Sequence, residues 1–442
     1  MRLLTLLLLG ACSFSARTSQ QSGDAPIVDT ASGGMEGLPL TCTPNDTACD
    51  GRTRKVCGAN GTWDPTQDTT CDFTCSGGAC VVASNVAITD VAMCGSNAPV
   101  LAPPPGATVT MATDGTTHLD CNPECGGGVT RIDRTNVITN VTPNVAWFCL
   151  SQMSIAANVV VTADPANPAT SALVFIVDGP VTIAGSFAAD GATATNAVPG
   201  AKGGPGGFNG SDLTSSNNSD GHGPCPGKGG DHSGSSDHWA GGGGGGGGNA
   251  SAGAGGGNGR CKNGDHTGNG RGASNGSCSV ASLIPLVGGS GGGAGGDATI
   301  NVQQGWAGGG GGGAIEIASR ISITVSGSLT SRGGAGYGET SVDGGGGGGA
   351  GGSLLLEAPS LSLTGMLVVD GGAGGSSGAG PGGTGASGMT APAAGVTFAQ
   401  NGQGGSGGGG GAGRIRLNAG NPTCPTTVSP AGGCSTGVLV PQ

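Results

Sequence analysis

Charged and aromatic side chains are scarce in this sequence, at 10 % and 3 % of its 442 residues. The basic complement is small and the formal net charge is −11. An acidic, arginine-poor surface repels phosphate backbones, which argues against a nucleic-acid partner. Beyond the first dozen residues no apolar run approaches the roughly 18 residues of a membrane-crossing helix, so no transmembrane span is expected. Signatures of catalysis are missing as well. No Gly-x-Ser-x-Gly falls at a strand–helix elbow, no Gly-Lys-Ser/Thr closes a phosphate loop, and no Gly-x-Gly-x-x-Gly opens a helix after a strand. An enzyme is not expected, nor a cofactor.

Glycine is what the chain has instead, with 101 residues. It brings no side chain to bury and costs about 0.5–1 kcal/mol relative to alanine at each ordered site. The run from Gly308 to Gly313 therefore forfeits on the order of 3–6 kcal/mol before packing begins. An ordinary globular core along the whole length is not expected. The glycines keep no strict third-residue period, which points away from collagen and toward repeats or low complexity.

The N-terminus speaks to location. Arg2, the apolar run Leu3 to Gly10 and the sequence Leu9-Gly10-Ala11-Cys12 have the makeup of an export signal. The segment resembles the bacterial lipobox, whose cysteine is lipidated and becomes the first residue of the mature protein. That resemblance implies Cys12 as the lipidation site, with acyl chains (palmitate among them) as the membrane attachment. Ser13 after it, rather than Asp, is similar to lipoproteins sorted onward to the outer membrane. An ordinary secretory signal with a chance cysteine is the alternative, and both lead out of the cytoplasm.

Sixteen cysteines in an exported chain imply disulfides. Six candidates, Cys42, Cys49, Cys57, Cys71, Cys75 and Cys80, crowd one turn-rich stretch too small for a core of its own. Their connectivity stays open. Cys94, Cys121, Cys125 and Cys149 follow, and Cys424 with Cys434 enclose a Pro/Gly loop and are expected to pair. Setting Cys12 aside leaves an odd number, which requires a free thiol, an intermolecular bridge or a different assignment of Cys12.

Composition divides the chain as follows: residues 1–12 signal and lipobox, 13–40 flexible tether, 41–82 Cys-rich module, 83–150 disulfide-tied cap or entry region, 151–420 repeat region with an insertion at 200–280, and 421–442 a tail closed by a disulfide. Three units of the repeat align on one glycine. They are Val181-Thr-Ile183-Ala-Gly185-Ser-Phe187, Ile323-Thr-Val325-Ser-Gly327-Ser-Leu329 and Leu361-Ser-Leu363-Thr-Gly365-Met-Leu367. Apolar residues alternate with small polar ones, so one set of side chains faces inward. Each unit follows another apolar strand: Leu173 to Val177, Ala314 to Ala318 and Leu354 to Leu356. A lone unit buries too little to stand alone, so neighbours must stack. The expected fold is all-β, an irregular parallel β-helix or solenoid with long Gly-rich loops, preceded by the small disulfide-rich module. Two readings of the glycine runs stay open. They are flexible loops, or extended three-residue-per-turn segments lying side by side and hydrogen-bonded to one another.

His222, Cys225, His232, His238, Cys261 and His266 form the one concentration of metal-type ligands. Their Gly/Ser/Asn surroundings suit solvated histidines better, so no metal is expected; His222, Cys225, His232 and His238 are the weak candidates. Gly292 to Ile300 is similar to a single calcium-binding RTX nonapeptide, but it has no tandem neighbour. Asp178, Asp190, Asp343 and Asp370 read as turn formers at strand ends. Arg320, Arg332, Arg414 and Arg416 are the few cations on the repeat, and no residue pair carries a catalytic assignment.

The lipobox, the stretch 42–80, and polyglycine runs entering Ala314-Ile315-Glu316-Ile317 or Arg414-Ile415-Arg416-Leu417 together resemble glycine-rich surface lipoproteins of the myxobacterial type. The resemblance implies a β-helical repeat and display on the outer surface, with the periplasmic face as the other orientation. It supplies no active site. The expected role is structural, adhesive or matrix-binding, with extracellular polysaccharide or surface proteins as partners. The alternative is a β-helix that binds or cleaves polysaccharide.

Overall fold

Alternating apolar and small residues build short strands between Thr47 and Ala188 and again from Ala314 onward. The computed structural model describes residues 38–441 apart from 40, 87–93, 95–96, 114–115, 140, 165–167, 197–199, 212–218, 232–239, 261–266, 269–277, 299–304 and 398–401. Among the described residues the only helical turns are two short 3-10 segments, Pro65–Gln67 and Ala431–Gly433. No described helix is long and apolar enough to cross a membrane. The signal, the lipobox with Cys12 and nearly all of the expected tether lie outside the described residues.

Three largely parallel sheets share one apolar core. The first has seven strands, in the order Asn136–Ile138, Val145–Leu150, Ala172–Val177, Ala314–Ser319, Ser353–Glu357, Arg414–Asn418 and Cys434–Gly437. The second has five: Ser360–Leu363, Ser322–Val325, Val181–Ile183, Gln152–Ile155 and Val100–Leu101. The third has eight, from Val428–Ser429 through Met366–Val368, Ser328–Thr330, Ser186–Ala188, Val160–Ala163 and Thr108–Thr113 to Thr117–Asn122 and Arg131–Asp133. The chain visits the three sheets in turn and then begins again. Val145–Leu150, Gln152–Ile155 and Val160–Ala163 make one such pass, so the pattern starts inside the segment assigned to the cap.

Register follows the sequence alignment residue for residue. Val181 pairs with Ile323 and Ile323 with Leu361; Phe187 pairs with Leu329 and Leu329 with Leu367. In the first sheet Phe148, Phe175, Ile317, Leu356 and Leu417 stack in consecutive register, all fully buried. Like residues above like give continuous inward columns, which is how short strands of two to six residues can share one core. Antiparallel strands finish two edges: Asn136–Ile138 on the first sheet, Thr117–Asn122 and Arg131–Asp133 on the third.

The first sheet is covered on its outer face as well. Trp147, Val174, Ala318 and Leu355 pack there against Phe73, Val81, Ala83, Leu283, Leu286 and Leu439. The Cys-rich stretch thus lies on the sheet instead of standing apart. Its strand Ala79–Val82 pairs with both Thr74–Ser76 and the C-terminal Val440–Pro441.

The glycine runs are not loops. Within 344–352 the backbone amides form three sets spaced by three residues. Gly344, Gly347 and Ala350 donate to Gly296, Gly293 and Ser290; Gly345, Gly348 and Gly351 donate to Gly405, Gly408 and Gly411; Gly346, Gly349 and Gly352 donate to Tyr337, Gly334 and Ser331, all at 2.8–3.0 Å. The carbonyls of Gly344, Gly347 and Ala350 accept from Trp306, Gly309 and Gly312, those of Gly345 and Gly348 from Gly244 and Gly247, and those of Gly346 and Gly349 from Gly375 and Gly372. A repeat of three is that of an extended three-residue-per-turn helix. The 344–352 segment is thus hydrogen-bonded to six neighbouring stretches of chain. A Cβ at Gly345, Gly346, Gly347, Gly348 or Gly349 would stand under 3.0 Å from a neighbour's carbonyl oxygen, so only glycine fits. Residues 200–211, 241–249 and 288–296, from the expected insertion and just beyond it, supply further segments of the same array.

Candidate functional site

Among the described residues there are seven disulfides. Twelve candidate cysteines make six of them: Cys42–Cys57, Cys49–Cys75, Cys71–Cys80, Cys94–Cys149, Cys121–Cys125 and Cys424–Cys434. The seventh, Cys225–Cys278, corrects the reading of Cys225 as a metal ligand, because a disulfide sulfur is no thiolate donor. His232, His238, Cys261 and His266 lie outside the described residues. Among the described residues no cluster of three His, Cys, Asp or Glu could hold a metal. The nonapeptide Gly292 to Ile300, which only resembles a calcium motif, runs through the glycine array up to Gly296, and its last two residues are outside the described set.

The four aspartates anchor turns and arginines. Asp190 accepts from the Arg332 amide at 2.7 Å and faces its guanidinium at 3.8 Å. Asp370 accepts from Ser429 Oγ at 2.7 Å, and burial, with Asp190 nearby, raises its carboxyl above the ordinary value. Asp343 is buried and accepts from the Ala298 amide at 3.0 Å, and burial likewise raises it. Asp178 pairs with Arg320, whose guanidinium also donates to the carbonyls of Cys94 at 2.9 Å and Asp72 at 2.8 Å. Arg320 therefore ties the Cys-rich stretch to the first sheet.

Two residues that sequence reasoning passed over do the same work. Glu316 and Glu357, on neighbouring strands, are fully buried on the outer face of the first sheet. Glu357 accepts from the Ser84 amide at 2.7 Å, Ser84 Oγ at 2.8 Å and Asn418 Nδ2 at 2.7 Å. Glu316 accepts from Asn85 Nδ2 at 2.8 Å. Burial, reinforced by the charge of Glu357, pushes the Glu316 carboxyl well above the usual carboxylate range. Period-two alternation in Ala314-Ile-Glu-Ile puts Glu316 opposite the core, which read alone means solvent. The covering segment Ser84–Asn85 is more than two hundred residues away in sequence, and no local signal announces it.

A cleft of about 440 Å³ opens where the end of strand Thr108–Thr113 and residues 168–170 meet the glycine hairpin 202–209 and His222. The hairpin turns at Gly204 to Gly207, where the Gly207 amide donates to Gly204 and Gly206 takes φ +71°. Asn209 Oδ1 accepts from the Gly203 amide at 3.0 Å, and the His222 amide donates to the Asn209 carbonyl at 3.0 Å. The Phe208 amide donates to Gly289, and its carbonyl accepts from Gly311. A Cβ at Gly223 would stand 2.9 Å from the Phe208 ring, so glycine there makes room for it. The lining thus draws on Phe208, Asn209, Thr113, Thr170, Lys202 and His222. Its volume lies in the range of small-ligand sites. Among the described residues no carboxylate lines it, so these walls offer no acid–base pair of the glycosidase kind. No protein-family model, no curated protein and no solved structure matches this chain.

Proposed function

We propose that this is an exported, lipid-anchored surface protein with a non-enzymatic structural, adhesive or matrix-binding role, built as a parallel β-solenoid backed by a slab of extended glycine segments. The observation that carries the reading is the pairing of every amide from Gly344 to Gly352 with neighbouring segments. A body held together by backbone is stiff and offers few side chains for chemistry. The chain's repeated visits to three parallel sheets over one core support the solenoid. Seven disulfides suit an oxidising compartment, and the Leu9-Gly10-Ala11-Cys12 sequence supports lipid attachment at Cys12. Labelling of a bacterial host with a palmitate analogue, followed by fractionation and protease shaving of intact cells, tests the proposal. Labelled, outer-membrane, shaving-sensitive protein is expected, with label and membrane association lost in Cys12→Ala. Unlabelled protein in the cytoplasmic fraction would overturn it. Polysaccharide binding is the second reading, favoured by the mixed aromatic and polar lining of the cleft.

A further inference from the structure

We infer that the cleft between residues 168–170 and the glycine hairpin is a binding site for a carboxylated saccharide, an inference that rests on the polysaccharide-binding reading and names its ligand class. Three observations converge on it. The first is charge. The chain carries 27 acidic residues against 16 basic ones, yet Lys202 lines this cleft beside His222, and among the described residues no Asp or Glu does. In an acidic protein the Lys202 ammonium there attracts an anion, His222 can add a hydrogen bond to it, and a ligand carboxylate meets no like charge among the described lining residues.

The second is the ring. Sugar rings present C–H faces bordered by hydroxyls, so they pair with a site offering one aromatic face and several hydrogen-bonding groups. Phe208 is the aromatic group of the lining, and Thr113, Thr170 and Asn209 are the polar ones. The third is rigidity. Phe208 is pinned through both its amide and its carbonyl to glycine segments, and Asn209 is oriented by the Gly203 amide. Walls already held in place lose little freedom when a ligand arrives, which favours affinity from few contacts.

The test is calorimetric titration of the purified full-length protein with trigalacturonic acid and, separately, with neutral maltotriose. Trigalacturonate is expected to bind at least tenfold more tightly than maltotriose. Lys202→Gln is expected to weaken trigalacturonate binding tenfold or more, while Lys55→Gln, in the Cys-rich stretch, leaves it unchanged. Phe208→Ala is expected to weaken both sugars, and circular dichroism of each variant verifies the fold; Lys202→Gln decides the matter should Phe208→Ala not fold. Trigalacturonate binding that is indifferent to Lys202→Gln, or equal binding of the two sugars, overturns the assignment. So does the absence of binding to either. A glycan array then separates the two levels: retention on other glycans keeps the polysaccharide-binding reading without this cleft, and a blank array removes that reading too.

Discussion

Gly327 lies directly against Gly185 of the preceding pass: a Cβ on Gly327 would stand under 3.0 Å from the Gly185 carbonyl oxygen, and Gly365 stands in the same relation to Gly327. The amides of Gly327 and Gly365 donate to Ile183 and Val325, two strand positions that themselves stack. The glycine that aligns the units in the sequence is therefore the corner at which one pass touches the next. Gly327→Ala is expected to cost roughly 1–3 kcal/mol, the usual penalty of overpacking. Gly432→Ala, where nothing lies within 4 Å of the new Cβ, is expected to be near neutral. Urea denaturation midpoints with the disulfides intact distinguish the two, and equal midpoints would contradict the close stacking.

Buried carboxyls set a pH dependence. The folded Glu316 carboxyl holds its proton to higher pH than the unfolded one, through burial first and Glu357 second. Its contribution is complete below the unfolded value of about 4.5 and is lost as pH rises from there through the folded value. Asp343 and Asp370 are raised by burial in the same direction. Thermal midpoints are expected to fall as pH rises from about 5 to about 8, and Glu316→Gln, which cannot ionise, is expected to flatten that slope. An unchanged slope in the variant would assign the pH dependence to other groups.

Arg320 is the clamp between the Cys-rich stretch and the first sheet. Its guanidinium side chain is 1 % exposed, whereas Asp178 is 25 % exposed. Breaking a buried pair costs about 3–5 kcal/mol, and the partial exposure of Asp178 places Arg320→Ala toward about 3 kcal/mol. Limited proteolysis is expected to cut between residues 72 and 94 sooner in the variant. Wild-type cleavage kinetics would show that the apolar contacts of Phe73 and Val81 suffice alone.

Cys225 and Cys278 are bonded to each other. Peptide mapping under non-reducing conditions is expected to recover them as one linked pair, with metal analysis of the same sample blank at the Cys225 peptide. Recovery of Cys225 linked to Cys261 would contradict the pairing.

Legibility in the sequence followed locality. The alternation in Val181–Phe187, Ile323–Leu329 and Leu361–Leu367 is a property of adjacent residues, and it matched the register because period two fixes which side chains can stack. Cys424–Cys434 was legible for the same reason, being ten residues apart. The glycine runs were ambiguous: a residue without a side chain carries no pattern, and whether it is ordered depends on neighbours such as Gly244, Gly293 and Gly408 that come from distant segments. Glu316, Glu357 and the cleft were illegible because the groups that cover or complete them, Ser84, Asn85 and His222, arrive from elsewhere in the chain.

Hydrogen exchange across the glycine segments is the most direct measurement of the central claim. The amides of Gly344 to Gly352 are expected to exchange as slowly as those of the strand Ala314–Ser319, since all of them donate to neighbouring backbone. Exchange of those glycine amides at the rate of an unstructured peptide, while the strand stays protected, would contradict it.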